Sequence, residues 1–130
     1  MSLKLPLTFF ACLSATIHAC TIFVLTDASR ALFCNNEDWT NSKTRIWFVP
    51  ASVGHYGCAF VGFDDDLVQG GLNTEGLALD VVAGYQEKWE LDLNVPNFWA
   101  SPTRWVLENC ASVEEAIAFF RSHREPGFAS

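Results

Sequence analysis

The sequence predicts an α+β fold, an antiparallel meander of short strands followed by two helices. Three observations predict it. From Cys20 to Gly84, β-branched and aromatic runs alternate with turn signals at short intervals. From Ser101 the apolar spacing becomes helical, and both onsets carry helix-start residues. The strands come first and the helices after them, which is the α+β order and not the alternation of an α/β sheet.

Taken in order, "CTIFVLT" is a strand, "DASR" a turn, and "ALFCNNEDW" the returning strand. "RIWFVP" follows and is stopped by Pro50, which has no N–H for a ladder. After "ASVGHY" come "GCAFVGF", the acidic turn Asp64–Asp66, "LVQGGLN" and "GLALDVVAG". Several of these runs are apolar on both parities, which predicts strands covered on both faces. "SPTRWVLENC" opens with Ser101 as N-cap and Pro102 at the first helical position. "SVEEAIAFFRSH" opens with Ser112 and has Glu115 three residues on, a capping box. Val113, Ala116, Ile117 and Phe120 share one face of that second helix and predict its buried side. No internal repeat, low-complexity tract or linker interrupts the pattern.

Residues 1–19 read as a secretory signal. Lys4 is a thin basic start, Leu5 to Ile17 is mostly apolar, and Ala19 is a small residue before the cut, though Ile17 is large for its position. The domain organisation is therefore a leader over 1–19 and one domain over 20–130, secreted or periplasmic. The chain's 130 residues, half of them hydrophobic and 14% aromatic, suffice for a core. Its net charge of −7 becomes −8 when Lys4 leaves, which speaks against nucleic acid or an anionic membrane surface as partner. No run is long enough for a transmembrane segment. The oligomeric state is not legible.

Five cysteines are present, and Cys12 departs with the leader. The other four have no paired Cys/His spacing, so neither a metal nor another cofactor is expected. Cys34, Cys58 and Cys110 sit in apolar elements and read as small core residues, with Cys34–Cys58 the first disulfide to check. His55 and His123 read as surface residues, and Asp64–Asp66 as a solvated turn. Trp39 and Trp47 suit a core or a pocket wall equally.

Cys20 is different, because cleavage after Ala19 makes it the N-terminal residue. Thiol and α-amine then sit on one residue, and an amine with a free pKa near ~8 is a base for the thiol. A three-residue loop Ala28–Arg30 places Cys20 opposite Asp38; a two-residue loop places it opposite Glu37 and turns Asp38 to the other face. The first register is the expectation, with Asp38 orienting the amine. A carboxylate beside an ammonium raises that amine's pKa, so Asp38 is not read as the proton acceptor.

The run "CTIFV…NNEDW…RIWFVP…YGCAFVGFDD…QGGLNTEGLALD" resembles the choloylglycine hydrolase and penicillin V acylase superfamily. Within it the chain is most similar to the acyl-CoA:6-aminopenicillanate acyltransferase-like, linear amide C–N hydrolase branch. The resemblance implies an N-terminal nucleophile (Ntn) αββα sandwich, present here as its N-terminal portion and incomplete. It implies Cys20 as nucleophile and Asp38 as the acidic partner of its amine, with Asn36 matching the Asn two residues before. Asn35 stands where bile-salt and penicillin V enzymes have Arg; an amide lacks the guanidinium's charge and fork, which points away from those substrates. Gly70, Gly71 and Asn73 fall in the shared "GGLN" motif, as site-supporting or substrate-binding residues. Gly70 and Gly71 suit a substrate approaching the backbone and a plain hairpin loop equally. The implied partner is a small-molecule amide. The family's later oxyanion Asn and distant Arg are expected beyond residue 130, so weak or no activity on linear amides is expected of this chain. The competing readings are an exported, non-enzymatic lipoprotein or binding module with Cys20 lipidated, for which His18 is a poor fit, and a degenerate inactive fragment.

Overall fold

The computed structural model describes residues 20–82 and 94–124. The leader over 1–19 lies outside the described residues, as do the last two positions of "GLALDVVAG". The described part is α+β with two antiparallel sheets and two helices.

Strands β1 (Thr21–Thr26) and β2 (Ala31–Asn36) form a two-stranded sheet. Strands β3 (Arg45–Val49), β4 (Cys58–Gly62), β5 (Val68–Asn73) and β6 (Ala78–Asp80) form a four-stranded sheet in chain order. Helices α1 (Pro102–Asn109) and α2 (Val113–Ser122) follow.

The first hairpin corrects the expected register. Thr26 pairs with Ala31 and Thr21 with Asn36, so Cys20 falls opposite Glu37, not Asp38. The cause is the turn. Asp27 N–H donates to Arg30 C=O at 3.0 Å, which closes a two-residue loop of Ala28 and Ser29. Such loops usually need positive φ at a central residue, yet neither Ala28 nor Ser29 has it. The Asp27 side chain serves instead: its Oδ1 accepts from Ser29 N–H at 2.8 Å, the Ser29 hydroxyl at 2.7 Å and Arg30 N–H at 3.1 Å.

In the larger sheet, Trp47, Phe60, Gly71 and Leu79 form one cross-strand row facing α1. Phe60, Val106 and Leu107 are fully buried there, and Trp47 packs on Phe60 with ring centroids 5.8 Å apart. That contact places Trp47 at the core, whereas Trp39 is exposed. A Cβ at Gly71 would sit 2.4 Å from Ala59 O and 3.2 Å from a Leu107 methyl. Glycine there lets helix and strand close on each other.

The C-terminal end of α1 is tied to the sheet, which satisfies carbonyls a helix leaves without partners. Tyr56 N–H donates to Glu108 C=O at 2.8 Å, and Asn73 Nδ2 donates to Leu107 C=O at 3.0 Å and Cys110 C=O at 2.7 Å. Cys58 Sγ also donates to Leu107 C=O. All four described cysteines are free thiols, so Cys34 and Cys58 form no disulfide.

Both helix starts are where the caps put them. Ser101 Oγ accepts from Arg104 N–H and Ser112 Oγ from Glu115 N–H. The return arm of the second cap differs, because Glu115 accepts from Ala111 N–H at 2.6 Å, one residue before the N-cap. The buried face of α2 is also rotated from expectation. Ala116 and Phe119 are buried and Phe120 packs on the core, whereas Val113 and Ile117 are exposed. Aromatic partners set that rotation: Phe119 stacks on Trp105 at 4.2 Å and meets Phe98 edge-on at 5.0 Å.

The expectation that strands are covered on both faces fails for the first hairpin and for one face of the larger sheet. Phe23, Leu25, Leu32, Ile46, Phe48 and Leu72 are all exposed, Phe48 to 77%. Within "GLALDVVAG", Leu77 is buried and Leu79 packs on the core, while Val82 is exposed. Periodicity reports which residues are apolar, not which of them find a cover. No helix among the described residues is long and apolar enough to cross a membrane.

Candidate functional site

Cys20 immediately precedes β1 and is half-buried. The two-residue turn puts Cys20, Ile22, Asn35 and Glu37 on one face of the hairpin. Cys20 Sγ donates to Glu37 Oε2 at 3.1 Å. Asn35 Nδ2 donates to Glu37 Oε1 at 2.9 Å and to Asp80 Oδ2 at 2.6 Å. Thiol, carboxylate, amide and second carboxylate thus form a continuous chain from β1 to β6, crossing from one sheet to the other.

The Asn35 amide cannot be turned round. Both hydrogens of its Nδ2 go to carboxylates, and the reverse orientation would set oxygen against oxygen. Its Oδ1 is left buried with no hydrogen bond, an arrangement that costs ~1–3 kcal/mol. Burial pushes the Asp80 carboxyl above its usual range and the Glu37 charge adds to that push, against the opposing bonds from Val81 N–H and Asn35. Acid, amide and thiol in one partly desolvated cluster are groups that can orient an attacking sulfur and handle a proton.

The sequence-predicted residues separate into those this cluster includes and those it does not. Cys20 and Asn35 are in it. Asp38 and Asn36 are exposed, each next to a cluster residue along β2 or just after it. Gly70 touches the cluster, since a Cβ built on it would lie 2.4 Å from Asp80 Cγ. The space at Gly70 is therefore filled by Asp80, and that at Gly71 by Ala59 and Leu107. Asn73 lies in the core. Its Oδ1 accepts from Glu75 and Leu77 N–H and its Nδ2 donates to the two carbonyls at the end of α1. Glu37 and Asp80 were not singled out as site residues. The two-residue register had offered Glu37, but nothing local marks Asp80, whose partner Asn35 is 45 positions away.

The acidic turn and His55 are solvated as the sequence suggested, whereas His123 is half-buried and not a surface residue. Asp64 pairs with Lys43 and Asp66 with Arg45 across a solvated turn. His55 is exposed, and His123 ends α2 stacked on Phe119. No group of three or more metal-ligating side chains occurs among the described residues. No protein-family model, curated protein or solved structure matches this chain.

Proposed function

We propose that this chain is an exported cysteine Ntn hydrolase or acyltransferase that acts on linear amide C–N bonds, its domain the N-terminal part of an αββα sandwich. The observation that carries the reading is the placement of Cys20. It opens β1 at the predicted cleavage point, and its thiol meets a cluster of carboxylate and amide side chains. The motifs that resemble the linear amide C–N hydrolase branch supply the reaction class.

Removal of residues 1–19 would leave an α-amine on Cys20. That amine takes the thiol proton, and Sγ attacks the amide carbonyl carbon. The tetrahedral species collapses as the C–N bond breaks, the proton passes to the departing amine, and a thioester remains on Cys20. Water then attacks the carbonyl, the S–C bond breaks and the acid leaves, with the proton returned to the thiol. In transfer, a second amine replaces water. Glu37 would hold the thiol from the position facing Cys20, just after β2, whereas Asp38, which the resemblance matches to the amine's partner, falls on the other face of the hairpin. Asn35 Oδ1, a buried acceptor in the same cluster, suits an N–H donor.

The test compares the exported product with a chain whose leader is retained, using an amide-derived acyl electrophile and site-resolved mass spectrometry. Labelling at Cys20 is expected only in the product that begins at Cys20. Equal labelling of both forms overturns the reading, because an internal Cys20 has an amide nitrogen and no internal base.

A further inference from the structure

We propose that Asp80 is the positioning residue of the Cys20 site, holding Asn35 across the gap between the two sheets so that Asn35 holds Glu37 on the thiol. Its relevance to catalysis rests on the amide-cleaving reading; the positioning itself does not.

The geometry carries the inference. Asn35 has one amide nitrogen and spends both of its hydrogens on carboxylates, one from its own hairpin and one from β6. The bond to Asp80 is the shorter, at 2.6 Å, and ties the end of β2 to the four-stranded sheet. Asp80 is itself fixed from two sides. Val81 N–H donates to its Oδ1 at 2.7 Å. Its carboxyl lies flat over Gly70, its cross-strand partner, where a methyl group would come within 2.4 to 2.8 Å of all three carboxyl atoms. The missing side chain at position 70 is therefore the space that Asp80 occupies. No cation offsets Asp80 in these contacts, and the charge that acts on it is that of Glu37, of the same sign. A half-buried acid so placed is costly as a structural tie, and an apolar contact between the sheets would serve cohesion better. What it supplies instead is an acceptor that fixes which way Asn35 points.

The readout is the rate of Cys20 alkylation by iodoacetamide relative to that of Cys34 in the full chain, resolved by peptide mass spectrometry. Cys34 lies on the same hairpin but on the opposite face, so general loosening of the hairpin moves both thiols. Asp80→Ala is expected to release Glu37 from the thiol and change the Cys20-to-Cys34 ratio by about 3- to 10-fold, the span of one lost hydrogen bond. Asp80→Asn, which keeps an oxygen for the Asn35 N–H, is expected to stay within about twofold of the parent. Gly70→Ala should reproduce Asp80→Ala from the neighbouring strand and add nothing in the Asp80→Ala background. An unchanged ratio in Asp80→Ala, equal changes at both cysteines, or an Asp80→Asn that behaves like Asp80→Ala would each overturn the proposal. Alkylation needs neither processing nor amide turnover, so these ratios test the positioning by itself, and equal labelling of processed and unprocessed chains by the amide-derived electrophile would refute only the catalytic reading.

Discussion

Replacing Asn73 with Ala should unfold this protein more readily than almost any other single polar change. Asn73 is 4% exposed and makes four hydrogen bonds, two as donor and two as acceptor. Ala removes all four, but the four partners do not suffer equally. Leu107 C=O keeps the Cys58 thiol as donor, and Glu75 N–H lies at an exposed residue that water reaches. Cys110 C=O and Leu77 N–H belong to buried residues, and Leu77 N–H has no other acceptor among these bonds. Two buried groups left without partners cost ~1–3 kcal/mol each, so the expected loss is about 3–4 kcal/mol. Against a stability of ~5–15 kcal/mol for a small domain, that is a large fraction. Urea titration followed by the fluorescence of core residues Trp47 and Trp105 measures it as a fall in midpoint at unchanged slope. Asn73→Asp should be at least as harmful, because it turns an acceptor toward two carbonyls. A loss below ~1 kcal/mol would refute the accounting. So would a variant that keeps full stability but loses Cys20 labelling by an amide-derived electrophile, since Asn73 would then belong to the substrate and not the core.

Two further predictions concern carboxylates. Hydrogen bonds from Ser29 and Arg30 hold the Asp27 carboxyl down at about 2, so its contribution to the turn is present above 3.8 and is lost as pH falls through about 2. Asp27→Ala should speed amide exchange at Ser29 and Arg30 at neutral pH; unaltered exchange would mean the two-residue loop does not depend on it. Asp80 runs the other way. Burial, with Glu37 adding, raises it above 3.8, so it favours the fold while protonated and that contribution is lost as pH rises through its folded value. Asp80→Asn should therefore gain stability relative to the parent as pH climbs from 3.8, read from urea midpoints; a constant gap would contradict the assignment.

What the sequence made legible follows from how local each cause is. Ser101 with Pro102, and Ser112 with Glu115, act within one turn, and both helices begin where those residues place them. The strands were legible as apolar runs between turn residues. The hairpin register was not, because two loop lengths fit the same residues and the choice was made by three hydrogen bonds to one Asp27 oxygen. The buried face of α2 was not legible either: Phe98, before α1, selects Phe119 over Val113 and Ile117. At the site, Cys20 stood out because cleavage gives it a second functional group, whereas Asp80 acquires its role only when β6 is laid beside β5. Gly70 was visible as a glycine, but its reason was a side chain ten positions away.

Strand order in the larger sheet equals chain order, and that has a kinetic consequence. Each of β3 to β6 finds its partner as the next strand along, so the sheet can grow one hairpin at a time with little loop entropy to overcome at each addition. The distant contacts come from α1, which reaches the sheet through Tyr56 and Asn73, and from Asn35 meeting Asp80. Refolding should therefore show strand signal ahead of burial of Trp105, and the Cys20 cluster should be assembled last, by docking of a hairpin already formed onto a sheet already zipped.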